Sequence, residues 1–239
     1  PYGLMLNIAP WNFPLLLSFL DVFPALAIGN AAIIKPSEVT PRWIAPVLKA
    51  IAAVPEIAAV LEILPGSGAL GAQLMEYADV VSFTGSVRTG RVVNEAAARL
   101  FIPAYLELGG KDPAIVLASA DLEYAADTIL FSAMSASGQA CQSLEIALVD
   151  ASLFDKFVAR VVERAQQMTI NHPDRAEGFV GPFIMEGQAA VVEEQLRDAV
   201  TGGARVLCGG KIVDHGGLWL EPTVLVDINP NMKIMREET

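Results

Sequence analysis

Asp79-Val80-Val81-Ser82-Phe83-Thr84-Gly85-Ser86-Val87-Arg88-Thr89-Gly90 decides how the chain folds. Asp79 to Thr84 is a short, mostly apolar run of the kind that a sheet buries on both faces. Gly85 supplies a turn, and Ser86 stands where a helix running to Arg99 begins. A strand that hands its chain directly to a helix is the unit of an α/β fold. The free backbone N–H groups at that helix start, with the Ser86 hydroxyl, suit a phosphate or pyrophosphate. An ordinary N-cap needs the same serine, and these residues alone do not separate the two roles.

The same alternation runs outward in both directions. Tyr2 to Ile8, Ala31 to Lys35 and Val60 to Leu64 read as strands, and Leu15 to Ile28 as an apolar helix kinked at Pro24. Thr40-Pro41 opens another helix, with Thr40 as N-cap and Pro41 at the first helical position. Tyr105 to Leu108 and Ala114 to Leu117 are strands flanking Gly109-Gly110-Lys111, where paired glycines allow a sharp reversal and a domain change. Further on, Leu122 to Ser135, Leu153 to Met168 and Gln188 to Val200 read as helices, and Arg205 to Cys208 and Pro222 to Val226 as strands. Leu153, Phe154, Phe157, Val158, Val161 and Val162 form one apolar stripe. The expectation is an α/β fold with a largely parallel sheet, divided into residues 1–109 and 110–239.

The 239 residues are 53% hydrophobic and 18% charged, which is globular rather than disordered material. A net charge of −11 speaks against a nucleic-acid partner, since phosphate backbones want basic surface. Asp21, Pro24 and Asn30 interrupt the apolar region from Pro14 to Ile34, so no membrane-spanning segment and no membrane partner are expected. No signal peptide opens the chain, and its two cysteines, Cys141 and Cys208, favour a reducing compartment; a cytoplasmic location is expected. A start at Pro1 and a stop at Arg236-Glu237-Glu238-Thr239 fit a piece of a longer polypeptide.

Three further segments bear on chemistry. Gly66, Gly68 and Gly71 have the GxGxxG spacing between a strand and a helix, but the acidic residue expected about twenty positions later is missing. A tight turn explains them equally well. Lys35-Pro36-Ser37-Glu38 lies at the carboxyl end of a strand, where ligands of open α/β sheets sit; a carboxylate there accepts two ribose hydroxyls and repels a 2′-phosphate. On these four residues alone, a solvated charge pair is the plainer reading. Ser135-Ala136-Ser137-Gly138-Gln139-Ala140-Cys141-Gln142-Ser143 sets one cysteine among small and polar residues, either as a small buried thiol or as a nucleophile.

Together these pieces resemble the aldehyde dehydrogenase superfamily. Pro10-Trp11-Asn12-Phe13-Pro14, Lys35-Pro36-Ser37-Glu38, Phe83-Thr84-Gly85-Ser86, Glu107-Leu108-Gly109-Gly110-Lys111 and Gly138-Gln139-Ala140-Cys141 occur in the family's order and approximate spacing. Glu237-Glu238 resembles the start of the family's glutamate-glutamate-x-Phe-Gly-Pro motif. The resemblance covers the middle of a family chain. It implies a Rossmann-like, parallel-sheet NAD-binding domain within residues 1–109 and an α/β catalytic domain within 110–239, both incomplete. It also implies a homodimeric or homotetrameric parent.

The roles that follow by resemblance are specific. Cys141 attacks an aldehyde to give a thiohemiacetal, hydride passes to the nicotinamide, and water cleaves the resulting thioester. Asn12 and the Cys141 backbone N–H stabilise the oxyanion. Glu107, at the end of an apolar strand, is the general base with a raised pKa, unless it is a salt-bridge partner of Lys111. Lys35 and Glu38 hold the adenine ribose, Gly85, Ser86 and Gly90 the pyrophosphate turn, and Glu238 the nicotinamide ribose. Glu38 favours NAD over NADP, and no metal is assigned. Trp11, Phe13, Leu17 and Leu20, at helical spacing, line a substrate tunnel unless they are core. Gly66 to Gly71 becomes a neighbouring loop.

Two positions depart from the pattern. Many relatives have asparagine where this chain has Ala136, and arginine where it has Ile146. Other readings are a non-catalytic nucleotide-binding or structural member of the fold, an acyl-transferring or thioester-hydrolysing enzyme, and an inactive fragment. The isolated 239-residue piece is expected to be poorly soluble or inactive, because it exposes apolar surface.

Overall fold

In the computed structural model, which describes residues 1–239, the chain forms two units, Pro1–Gly109 and Gly110–Thr239. The first unit runs β1 (Leu4–Ile8), α1 (Pro14–Phe19), α2 (Val22–Ala27), β2 (Ala31–Lys35), α3 (Ile44–Ala52), α4 (Pro55–Ala58), β3 (Leu61–Ile63), α5 (Gly68–Leu74), β4 (Val80–Thr84), α6 (Val87–Leu100) and β5 (Ala104–Glu107). Its five strands are all parallel in the order β3-β2-β1-β4-β5, with Leu6 opposite Ile33 on one side and Val81 on the other.

Alternating side chains send core to both faces of this sheet. Met5, Ala32, Ile34, Leu61, Ile63 and Val80 pack with Phe19, Val22 and Ile44 on one face. Leu6, Val81 and Phe83 pack with Met75, Val93 and Ala97 on the other. Leu6, Ile34 and Val81 are at most 1% exposed, and each such burial stabilises by about 2 kcal/mol. Asn7, between apolar neighbours on β1, is fully buried, and its Nδ2 donates to the carbonyls of Leu17 (3.2 Å) and Ser18 (2.8 Å). One side chain thereby ties the chain after β1 to the centre of the sheet.

Two local expectations are corrected. The apolar stretch after β1 is two short helices, and the break falls at Leu20 and Asp21, not at Pro24. Pro24 sits in the first turn of α2, where its missing N–H would have had no helical partner. Asp21 is instead drawn to the sheet, its Oδ2 accepting from Ser82 Oγ at 2.6 Å. Thr40 and Pro41 stand at the N-cap and first positions as expected, but the helix opens as a 3₁₀ turn, Pro41–Trp43, before α3, and the Thr40 hydroxyl makes no capping bond, donating instead to the Trp11 carbonyl at 3.0 Å.

The second unit runs β6 (Asp112–Val116), α7 (Leu122–Met134), β7 (Leu144–Val149), α8 (Phe154–Gln167), α9 (Glu186–Thr201), β8 (Arg205–Cys208), β9 (Ile212–Asp214), β10 (Leu218–Leu220) and β11 (Val224–Val226). β6 and β7 pair in parallel, while β8 with β11 and β9 with β10 pair antiparallel. Val116, Ala126, Leu130, Phe157, Val161 and Ala165 form its main core, so the stripe on α8 is turned inward. Only Phe157 and Val161 of the six stripe residues are fully buried, because the stripe is wider than the face that α7 and β6 cover.

Candidate active site

The first unit places expected catalytic and cofactor residues at the carboxyl end of its sheet. Asn12 follows β1, Lys35 ends β2, Gly85 and Ser86 follow β4, and Glu107 ends β5. In a parallel sheet these are all carboxyl ends, and the strand order reverses direction at β1 and β4, the kind of place where α/β proteins open a ligand crevice. Ser86 caps the fourteen-residue α6, accepting from the Thr89 N–H at 3.3 Å, and it is exposed. The Gly85 N–H donates to the Glu107 carbonyl at 3.0 Å, and a Cβ at Gly85 would stand 2.7 Å from the Phe83 ring. Gly90 also has a packing role. It is buried, and a Cβ there would stand 2.5 Å from Leu108 Cδ2, so it seats α6 on the chain after β5. Gly66 and Gly68 follow the edge strand β3, whereas Gly71, within α5, is buried, and a Cβ there would stand 3.5 Å from Ile8 Cδ1 at the end of β1 and 3.8 Å from Lys35 Cδ.

Lys35 is 4% exposed, and its Nζ donates to Glu38 Oε2 at 2.9 Å. The Glu38 carboxyl is held below its ordinary value first by its own backbone N–H and then by Lys35, which together outweigh its desolvation. A carboxylate lowered on folding stabilises above its unfolded value near 4.5, and that contribution is lost as pH falls through the lower folded value. Glu38→Gln is therefore expected to destabilise the first unit at neutral pH and to match the parent in acid. The difference is below about 1 kcal/mol because the Glu38 side chain is 58% exposed, and urea midpoints across the acid range check it.

Asn12 is half-buried, and its Oδ1 accepts from the Phe13 N–H at 3.0 Å. Trp11 and Phe13 precede α1, Leu17 lies within it, and Leu20 is 56% exposed at its end. The four residues thus share no single helix face, contrary to the helical spacing expected of them. Glu107 is exposed rather than set in an apolar place, because β5 is an edge strand whose alternate residues face outward. Nor is it the partner of Lys111, which pairs with Glu145 within the second unit.

In the second unit, Cys141 is exposed on the loop between α7 and β7, and its thiol donates to Gln142 Oε1 at 3.2 Å. Before it, Ala136 (φ 51°), Ser137 (φ 60°) and Gly138 (φ 71°) make three consecutive left-handed residues. Each of the two with a Cβ stores roughly 1 kcal/mol. Ala136→Gly is expected to stabilise the unit by about 0.5 kcal/mol, the relief of strain exceeding the added unfolded-chain entropy, as a thermal melt would read. Two side chains outside the expected set hold this turn. Ser137 Oγ accepts from the Gly181 N–H at 2.7 Å, and Gln139 Oε1 accepts from the Ile184 N–H at 2.9 Å while its Nε2 donates to the Pro182 carbonyl at 3.1 Å. Ile146, where many relatives carry arginine, is a ladder residue of β7 opposite Pro113.

The second cysteine differs. Cys208 is half-buried beside the Pro222 carbonyl, and burial pushes its thiol up, away from the reactive thiolate. Glu238 lies near the Lys111–Glu145 ion pair, which also holds Thr239: Lys111 Nζ donates to Thr239 Oγ1 at 2.7 Å, and the Thr239 N–H to Glu145 Oε2 at 3.2 Å. Glu238 is exposed by area, yet the protein beside it removes enough water to push its carboxyl above the ordinary value. The Glu145 charge adds to this, and Lys111 opposes it. Its backbone carbonyl accepts from Gln195 Nε2 at 2.9 Å. No helix is long and apolar enough to cross a membrane.

Comparison with known proteins agrees with this arrangement of strands. Among solved structures, a protein of Anabaena variabilis assigned as an aldehyde dehydrogenase is 50% identical, with a TM-score of 0.98 over 100% of this chain and 51% of its own. A Mycobacterium tuberculosis aldehyde dehydrogenase complexed with NAD+ is 33% identical (TM-score 0.93, 100% of this chain and 50% of its own). An NADP-dependent enzyme of Escherichia coli is 35% identical (TM-score 0.90, 100% and 50%). The chain spans about half the length of the curated relatives it matches. The family profile described as "Aldehyde dehydrogenase family" matches residues 1–239, and the chain belongs to that family.

Proposed function

We propose that the protein carrying this chain oxidises an aldehyde to a carboxylic acid with NAD+, using Cys141 as the nucleophile. The observation that carries this reading is the exposed Cys141 thiol, closing the Gly-Gln-x-Cys motif just after a left-handed turn, in a chain that matches the family throughout.

A dinucleotide fits the residues present. Ser86 at the start of α6 offers N–H donors and a hydroxyl to a pyrophosphate, and Lys35 with Glu38 offers a cation and a carboxylate at a neighbouring strand end. The bound cofactor supplies a hydride acceptor. Glu38, ionised and beside the path of a ribose, supports NAD over NADP by repelling a 2′-phosphate. Glu238 is assigned to the nicotinamide ribose.

In the reaction, the Cys141 sulfur, having lost its proton, forms a bond to the aldehyde carbon. The carbonyl electrons move onto oxygen, where the Asn12 amide and the Cys141 backbone N–H hold the charge. Departure of hydride from that carbon restores the carbonyl as a thioester. Glu107 takes a proton from water, the water oxygen bonds to the acyl carbon, and the carbon–sulfur bond breaks to release acid and free Cys141. Retention of a carboxylate at 107 supports hydrolysis over acyl transfer. Trp11, Phe13, Leu17 and Leu20 are proposed to face the substrate. A homodimeric or homotetrameric parent in the reducing cytoplasm belongs to the same reading, resting on the resemblance and on two free cysteines.

A panel of aldehydes incubated with NAD+ and separately with NADP+, followed by absorbance of the reduced cofactor, tests the proposal. Turnover with NAD+ and at least one aldehyde is expected. A protein that reduces neither cofactor with any aldehyde refutes it.

A further inference from the structure

The left-handed turn before Cys141 is expensive and needs something to hold it. Two of its residues, Ala136 and Ser137, carry a Cβ at φ values of 51° and 60°. Within the turn, the Gln139 N–H donates to the Ala136 carbonyl at 3.1 Å, and the Ala140 carbonyl accepts from the Ser143 N–H at 2.9 Å, so Cys141 sits on a second tight turn directly after the first. These local bonds close the turns but attach them to nothing else.

The attachment comes from residues 181–184, about forty positions along the chain. That segment is itself fixed. The Asn171 N–H donates to the Val180 carbonyl at 2.8 Å, and the Phe183 N–H donates to the Leu218 carbonyl of β10 at 2.8 Å. Trp219, 8% exposed, donates through its Nε1 to Asn171 Oδ1 at 2.9 Å and completes the support. A Cβ at Gly181 would lie 3.4 Å from Ser137 Oγ, an ordinary contact distance, so the serine hydroxyl packs directly beside this residue. Backbone N–H groups of this rail, from Gly181 and Ile184, point at Ser137 Oγ and Gln139 Oε1, and the Pro182 carbonyl between them takes the Gln139 amide.

We propose that Ser137 and Gln139 are positioning residues for Cys141, fastening its strained turn to residues 181–184 and so setting where the thiol stands. They act through the backbone and touch no substrate. Because Ser137 and Gln139 flank Gly138 and lie four and two residues before the cysteine, losing either bond lets the turn relax toward ordinary backbone and displaces the sulfur. The catalytic meaning of this rests on the assignment of Cys141 as nucleophile; the positioning itself does not.

Ser137→Ala and Gln139→Ala in the whole protein that carries this chain test it. Ser137→Ala is the sharper variant, because it deletes the acceptor while keeping the Cβ, and with it the backbone strain that drives the turn to relax. The readout is the iodoacetamide alkylation rate of Cys141 by peptide mass spectrometry, with Cys208 as internal reference and a peptide of residues 135–143 as the unfastened standard. Cys141 in the parent chain is expected to differ from the peptide by at least about threefold, and both variants to move toward the peptide by a similar factor with Cys208 unchanged. In the aldehyde assay of the whole protein, kcat is expected to fall about tenfold with KM nearly constant, a split that general loosening would not give. Parent and peptide rates that coincide, or variants that keep the parent rate, overturn the proposal. Should Gln139→Ala also expose Cys208, Gln139→Glu decides: it keeps the acceptor for Ile184 and loses the donor to Pro182, and a parent-like Cys141 rate refutes a role for that donor. The alkylation arm succeeds or fails whether or not the protein oxidises aldehydes, so the two readings fail separately.

Discussion

Cys141→Ala is expected to reduce aldehyde-dependent cofactor reduction by at least about a thousandfold, because it removes the only atom proposed to bond to the substrate. The side chain is exposed and its one hydrogen-bond partner, Gln142, is also on the surface, so the substitution leaves no buried group unsatisfied and the melting temperature is expected to stay within experimental error. Cys208→Ala is the control. Its thiol is half-buried and pushed up by burial, and it packs against the core of α7 and α8, so activity is expected to persist with a modest loss of stability. Full activity in the Cys141 variant, measured beside the parent under saturating aldehyde, would sink the mechanism.

The largest stability effect is expected from Lys111→Ala. Lys111 and Glu145 are 13% and 12% exposed, and the alanine variant leaves the Glu145 carboxylate with little water and no cation. Breaking such a pair from one side costs about 3 kcal/mol, more than the intact pair contributes relative to apolar groups. Thr239 also loses the Lys111 donor, so the loss extends to the end of the chain. Urea unfolding followed by Trp219, the one tryptophan of the second unit, in a chain with Trp11 and Trp43 changed to Phe, reads this directly. Glu145→Gln combined with Lys111→Met is expected to recover most of it. A single variant within about 0.5 kcal/mol of the parent would refute the account.

Much of the first unit was legible because buried parallel strands read as uninterrupted apolar runs. Val80–Thr84, Ala31–Lys35 and Leu4–Ile8 need no partner information to be recognised. Leu144–Val149 was not read as a strand, since Glu145 breaks its apolar run, and that charge makes sense only once Lys111 is beside it. The three-residue strands Ile212–Asp214 and Leu218–Leu220 are too short to show a period. The helix break at Leu20 and Asp21 escaped because Pro24 is the obvious breaker, whereas the Asp21 side chain at the break is engaged by Ser82, sixty-one residues away.

The site divides in the same manner. Motifs name Cys141, Asn12, Glu107 and Ser86 because a side-chain type is written in the sequence. Ser137 and Gln139 do their holding through backbone N–H groups of Gly181 and Ile184, and a backbone donor leaves no residue-type signature. Gly90 is named by its motif, yet the packing requirement set by Leu108 is written nowhere in that motif.

The hydrogen bond from the Gly85 N–H to the Glu107 carbonyl joins two elements assigned to different tasks, the cofactor turn and the carboxylate that activates water. On the roles proposed for them, a substitution that shifts residues 85–86 is expected to carry the Glu107 backbone with it, so a variant that moves the pyrophosphate turn is expected to slow thioester hydrolysis as well.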